Sequence, residues 1–153
     1  MAKRGVRTTA KAVIRQEGRV LTVVHGKGDE RWYSLPGGGQ NRGETLPQAL
    51  RRECVEEIGC DVVVGSLLFV RDYIARNHEF ADQNRKFHKL DLFFECTLPA
   101  GSEPGLGTHP DSSQTGVAWL PLGRLDEYAI YPKILRRTLT NGAPADPYLG
   151  DVN

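Results

Sequence analysis

Residues 36–60, PGGGQNRGETLPQALRRECVEEIGC, constrain the fold of this chain more than any other stretch. Three glycines lead within a few residues into a segment that carries its own helix start and stop. Thr45 stands at a cap position, Pro47 falls in the first turn, and Gln48 lies three residues after Thr45, the signature of a capping box. Gly59 is placed to end the helix in a left-handed conformation. Leu46, Leu50 and Cys54, with Ile58 further round, give this segment an apolar flank, so a helix of about four turns packs onto something directly after a glycine loop.

The same helix carries Glu53, Glu56 and Glu57, which fall within about 100° of its circumference and point into one small volume. At an effective dielectric near 20, two ionised carboxylates about 4 Å apart cost on the order of 4 kcal/mol. A divalent cation relieves that repulsion. Oxygen donors with no histidine or cysteine at ligand spacing favour a hard ion, Mg²⁺ with Mn²⁺ as a substitute, over zinc. Magnesium in turn points to phosphate chemistry. An isolated ExxEE is more often a solvated helix face, so the surrounding residues decide the matter.

Those residues run as Gly38, five residues, Glu44, seven residues, Arg52-Glu53, a small apolar residue, one residue, Glu56-Glu57, one residue and Gly59. This pattern over residues 38–60 resembles the signature box of the Nudix hydrolases at every fixed polar and glycine position. Cys54 and Cys60 depart from it at aliphatic positions, where a buried cysteine serves as a small hydrophobe. The resemblance implies an α/β/α sandwich with a mixed β-sheet, a MutT-like member of the family. It also implies hydrolysis of a diphosphate linkage in a nucleoside diphosphate linked to a further group. Carried over position by position, it makes Glu53, Glu56, Glu57 and the Gly38 carbonyl the metal ligands, and it has Arg52 and Glu44 brace the carboxylates. Glu56 or Glu57 is the expected acceptor of the attacking water's proton, the alternative being a base on a distant loop. A guanidinium beside the cluster orients carboxylates by charge-assisted hydrogen bonds, and glycines let the backbone approach metal and phosphates closely.

Flanking segments fit one domain spanning residues 1–153. Two β-branched runs around Gln16-Glu17-Gly18 read as a hairpin, and Trp32-Tyr33-Ser34-Leu35 as a short strand. Residues 61–70, 89–97 and 116–120 read as further strands, residues 122–139 show helical periodicity, and 141–153 read as a tail. The polar excursion at 71–86 is long enough to be functional. Lysine and arginine total 20 against 19 acidic residues, so no global field recruits an anionic membrane or long nucleic acid. Three cysteines without a CxxC pair fit reduced thiols, and no apolar run reaches membrane-spanning length; both suit a cytoplasmic protein with no membrane partner.

Substrate identity must come from outside the box. Trp32, Tyr33, Tyr73, Phe80 and Phe87 are candidates to stack on a nucleobase, against ordinary packing roles. Arg71, Arg76, Arg85, Lys86, His88 and Lys89 are candidates to grip phosphate or sugar. His78, Glu79 and Asp111 would supply a supplementary base or ligand if their loops fold over the site, and Gln114 a polar contact there. His25 and His109 read as ordinary surface or strand-end histidines. The resulting expectation is a Mg²⁺-dependent pyrophosphohydrolase of a small nucleotide, a nucleoside triphosphate or a nucleotide sugar, with a homodimer in keeping with the family. The alternative is a non-catalytic module of the same fold that senses nucleotide metabolites.

Overall fold

The computed structural model describes residues 5–79, 81–141 and 144–153. Strands β1 (Arg7–Gln16) and β2 (Arg19–His25) form the expected hairpin, whose two-residue turn places Glu17 and Gly18 at φ 50° and 72°, the positive values that match the twist of the flanking strands. Strand β3 is Trp32–Ser34, and β4 is Gly37–Gly39. The sequence reads residues 37–39 as a loop; the structure pairs them antiparallel with Thr9, Ala10 and Lys11 of β1. Glycine permits this close approach, because a Cβ at Gly37 would fall on the Ala10 carbonyl and its φ is 130°.

Helix α1 (Leu46–Ile58) has both elements of the capping box, with Thr45 Oγ1 accepting from the Gln48 N–H and Gln48 from the Thr45 N–H, and it ends on Gly59 at φ 68°. Its last carbonyls are received by a loop far along the chain. The N–H groups of His109, Gly107 and Gly105 donate to Glu56, Glu57 and Ile58 at 3.0, 3.1 and 3.0 Å. A helix end that would otherwise face water is thus fully bonded.

Strands β5 (Val63–Ile74), β6 (His88–Thr97), β7 (Gln114–Pro121) and β8 (Tyr148–Asp151) complete the sheet. The order is β3-β2-β1-β6-β5-β8, with β4 beside β1 and β7 beside β2. The β1–β6 and β5–β8 pairs are parallel and the rest antiparallel, so the sheet is mixed. The residues read as a tail therefore contribute an edge strand. The irregular excursion is correspondingly shorter than expected: β5 runs to Ile74, and a 3-10 turn (Ala75–Asn77) and helix α2 (Ala81–Asn84) lead to β6. Phe80 lies outside the described residues.

Both faces of the sheet are covered. Leu50, Cys54 and Ile58 of α1 pack on Ala10, Ala12, Ile14, Leu21 and Val23. On the other face Leu125, Ile130, Leu135 and Leu139 pack on Val13, Phe69 and Phe93. The expected helix over 122–139 is broken into a 3-10 segment (Leu122–Glu127) and helix α3 (Leu135–Thr138). Pro132 has no N–H and disfavours helix at Tyr131, and Ile130 instead bridges Tyr33. The apolar spacing still reaches the core. All three cysteines are buried and free, and burial raises the thiol pKa of Cys54 and Cys60. Among the described residues no helix is long and apolar enough to cross a membrane.

Candidate active site

Arg52 organises the acid cluster. Its Nε and Nη2 donate to the two oxygens of Glu44 at 2.6 and 3.0 Å, and Nη2 also donates to the Gly39 carbonyl at 2.9 Å. Its Nη1 donates to Glu53 at 2.9 Å and reaches Glu56 at 3.5 Å. Glu44 accepts in addition from the Asn41 N–H at 2.9 Å, and the Arg52 and Asn41 bonds hold its carboxyl below the usual range. One planar fork thus ties loop, strand and helix together, a task the point charge of lysine would not perform.

Strand β4 presses against the carboxylates from the other side. The Gly37 N–H donates to Glu57 Oε2 at 3.0 Å, and a Cβ at Gly38 would lie 2.6 Å from the Glu53 carboxyl carbon. Beside them opens a cavity of about 360 Å³, walled by Glu53, Glu57 and Gly37–Gly39, with Asp111 also facing it. Burial pushes the Glu57 pKa up to about 7; Lys11 and the Gly37 N–H oppose the rise, while Glu53 and Asp111 add to it. Among the described residues no three histidine, cysteine, aspartate or glutamate side chains converge closely enough to chelate an ion as they stand. The donor chemistry nevertheless fits a hard divalent cation. Glu53 and Glu57 face one cavity with Asp111, all three offer oxygen donors, and the positive charge of Lys11 does not offset the desolvation of Glu57.

The two glycines make separable tests. Gly38→Ala places a methyl against the flexible end of Glu53, so the fold should persist while misplacement of that carboxylate lowers turnover by about a hundredfold. Gly37→Ala meets backbone at a positive φ and should cost at least about 2 kcal/mol of stability. Parallel denaturant melts and kinetic assays check both. Equal loss of stability in the two variants would remove Glu53 from the account.

Outside the box, Asp111 comes to the cavity, steadied by a backbone N–H bond to the Gln114 side chain at 2.6 Å. Trp32 also lines it. Tyr73 stands further out, stacked on His78 with ring centroids 5.0 Å apart. His78 and Glu79 are not brought to the box: His78 Nε2 bonds Asp151 at 2.6 Å, and Glu79 accepts from Lys133 at 2.9 Å and Asn153 at 3.0 Å. His88 is similarly held by Asp72 at 2.7 Å, and Arg76, Arg85 and Lys86 are exposed. His109 is exposed as read, and His25 is the strand-end histidine it reads as, closing β2, but it does not lie at the surface. It is buried, bonded to Ser113 and Ser34 at 2.8 Å each, and lines the cavity. Burial and Lys11 lower its pKa, with Asp111 opposing.

The sequence reading missed Arg7, Thr9 and Lys11, all on the cavity wall. Their signal was available. In RTTAKA, alternation sends Ala10 and Ala12 towards α1 and the residues at 7, 9 and 11 to the opposite face. Asp91 at the cavity floor was also missed; it accepts from Thr9 Oγ1 and from Arg71 Nε at 2.7 Å, with Lys89 Nζ 3.4 Å away.

Comparison with known proteins identifies this sandwich, with its braced acid cluster beside a glycine strand, as one of the enzymes that hydrolyse phosphorus-containing acid anhydrides. The model of the NUDIX domain matches residues 5–139, nearly the whole sandwich, and the chain belongs to the Nudix family. No curated protein matches it closely. Among solved structures, a Nudix hydrolase from Nitrosomonas europaea aligns over 98% of this chain and 80% of its own, with a TM-score of 0.71 and 19% identity. A MutT Nudix hydrolase from Burkholderia pseudomallei aligns over 78% and 85%, with a TM-score of 0.60 and 25% identity. An ADP-ribose pyrophosphatase from Streptococcus suis aligns over 97% and 100%, with a TM-score of 0.63 and 18% identity.

Proposed function

We propose that the protein is a Mg²⁺-dependent nucleotide pyrophosphohydrolase, cleaving a diphosphate linkage in a nucleoside diphosphate linked to a further group. The observation that carries this reading is a single cavity that combines Glu53 and Glu57 of the acid cluster, and Asp111, with cationic walls, Arg7, Lys11 and Lys89, suited to an anionic substrate beside a cation; Glu56 stands beside this cavity rather than on its wall. Glu53, Glu56, Glu57 and the Gly38 carbonyl are the proposed ligands. The bound ion would supply Lewis-acid polarisation of a phosphoryl oxygen and a more acidic water.

The chain's own groups do the rest. Arg52 and Glu44 fix the orientation of Glu53 and Glu56, Lys11 and Arg7 offset phosphate charge, and Glu56 or Glu57 accepts the water's proton. Family membership supports a small nucleotide as substrate, and the likeness to an ADP-ribose pyrophosphatase keeps nucleotide sugars beside nucleoside triphosphates. An intact acid set with its bracing arginine is what turnover needs and a purely sensing module does not. A hydrolysis screen with Mg²⁺ over nucleoside di- and triphosphates and nucleotide sugars, read by chromatography of products, tests the reading. Turnover abolished by chelation supports it; no turnover on any of these substrates defeats it.

A further inference from the structure

Strand β8 lies beyond the residues that match the family, yet it is bonded to the wall of the catalytic cavity. It pairs parallel with β5, Val70 beside Tyr148 and Asp72 beside Asp151, with one residue more on β8 than on β5 between these pairs. Gly150, at φ 78°, takes up the extra residue. Bulges of this kind re-aim a side chain, and here the Asp151 carboxylate meets the segment that ends β5. It accepts from the Ile74 N–H at 2.9 Å and the Asn77 side chain at 2.8 Å, and it pairs with His78 Nε2 at 2.6 Å. Burial alone would raise its pKa, but the Asn77, His78 and Ile74 bonds hold it at about 2. The next residue reaches the cavity. Val152 donates its N–H to the Asp72 carbonyl at 3.2 Å, and its own carbonyl accepts from Arg71 Nη1 at 2.6 Å. With Nε on Asp91, this second bond fixes the plane of the Arg71 guanidinium. Arg71 borders both the catalytic cavity and an adjoining one of about 620 Å³, and Asn153, bonded to Glu79 at 3.0 Å, lies on the wall of the second.

We propose that Asp151 is a positioning residue for substrate binding: it pins β8 to residues 74–78, and through the adjoining Val152 carbonyl the pinned strand holds Arg71 in the cavity wall. This rests on the pyrophosphohydrolase reading for what enters the cavity and adds the element that keeps its wall in shape. A guanidinium fixed beforehand spares an anionic ligand the cost of ordering it. Docked β8 and a bound diphosphate therefore favour the same Arg71 position, and each strengthens the other. Asp151 stays away from the reacting atoms, so its effect falls on affinity and not on the chemical step.

The probe is methylenediphosphonate with Mg²⁺, a diphosphate whose carbon bridge resists hydrolysis. Hydrogen exchange on the wild-type chain needs no variant: the Ile74 and Val152 amides, both bonded across the β5–β8 junction, should exchange about tenfold more slowly with the probe bound. By calorimetry, Asp151→Ala should bind the probe about tenfold more weakly. Asp151→Asn, which keeps an acceptor oxygen for Ile74 and His78, should retain most of the affinity. In turnover, Asp151→Ala should raise KM by about the same tenfold and leave kcat nearly unchanged. Exchange at β8 that ignores the probe, equal affinity in wild type and Asp151→Ala, or a fall in kcat at constant KM overturns the positioning role. The two readings fail separately. Protection of β8 by the probe without hydrolysis of any nucleotide defeats the catalytic assignment alone, and hydrolysis with an unresponsive β8 defeats the positioning role alone.

Discussion

Replacing Glu57 by glutamine should lower kcat by about a thousandfold while making the metal-free protein more stable. Both effects have one cause. Glu57 is half-buried beside Glu53 and lines one cavity with Asp111, and its pKa of about 7 against an ordinary 4.5 records how poorly the fold tolerates its charge. Below pH 4.5 the carboxyl is protonated in folded and unfolded chains alike. Between 4.5 and 7 the unfolded chain gives up the proton first, so the metal-free fold weakens as pH rises through that interval and levels off above it. The shift corresponds to about 3 kcal/mol, which glutamine returns because it carries no charge to desolvate. Melting the metal-free wild type and Glu57→Gln at pH 5 and pH 8 checks this: the variant should gain several degrees at pH 8 and little at pH 5. A variant less stable than wild type at pH 8 would mean that Glu57 is already satisfied by Lys11 and Gly37. Mg²⁺ should stabilise the wild type most at high pH and the variant far less.

The largest loss of stability should come from Asp91→Ala. Asp91 is 1% exposed and joins Thr9, Arg71 and Lys89, while Arg71 also donates to the Val152 carbonyl at 2.6 Å. Burial alone would raise the Asp91 pKa, but Lys89, Arg71 and Lys11 outweigh it and hold the carboxyl below its usual range. Burial lowers Lys89 to about 8 even with Asp91 beside it. Removing the one carboxylate leaves two poorly hydrated cations facing each other, a situation that costs about 3–5 kcal/mol. Urea denaturation measures it. The triple change Asp91→Leu, Arg71→Met and Lys89→Met should recover much of the loss, since apolar groups of similar volume need no counter-charge. Loss below about 1 kcal/mol in Asp91→Ala would show that water already enters the cluster.

These two sites differ in how far the sequence reveals them. Glu57 is legible because its chemistry is packed into one helix, where spacing alone fixes which side chains share a face. The capping box and Gly59 are legible for the same reason, being local. Asp91 is not, because its partners Thr9 and Arg71 come from β1 and β5, and only the parallel pairing of Thr9 with Asp91 and the antiparallel pairing of Arg71 with Asp91 bring them together. The burial of His25 at the end of β2 is hidden on similar grounds, since both its serine partners and Trp32 meet it through strand register and a distant loop. The broken helix at 122–139 shows the opposite failure. Apolar spacing identified the buried residues there, but Pro132 and the Ile130 bridge overruled the conformation that the spacing suggested.

The loop that receives the end of α1 bears on how this chain can vary in length. Segments joining strands usually accept insertions, and the exposed turn around Ala100 and Gly101 has the character to do so. Five residues further on the rule reverses. Gly105, Gly107 and His109 meet three successive carbonyls of α1 at alternate positions, and a Cβ on Gly107 would strike the Glu56 carbonyl. One residue added there would slip the ladder and free the carbonyls behind Glu56 and Glu57, so that the length of an outwardly ordinary loop is fixed by the helix that carries the acids.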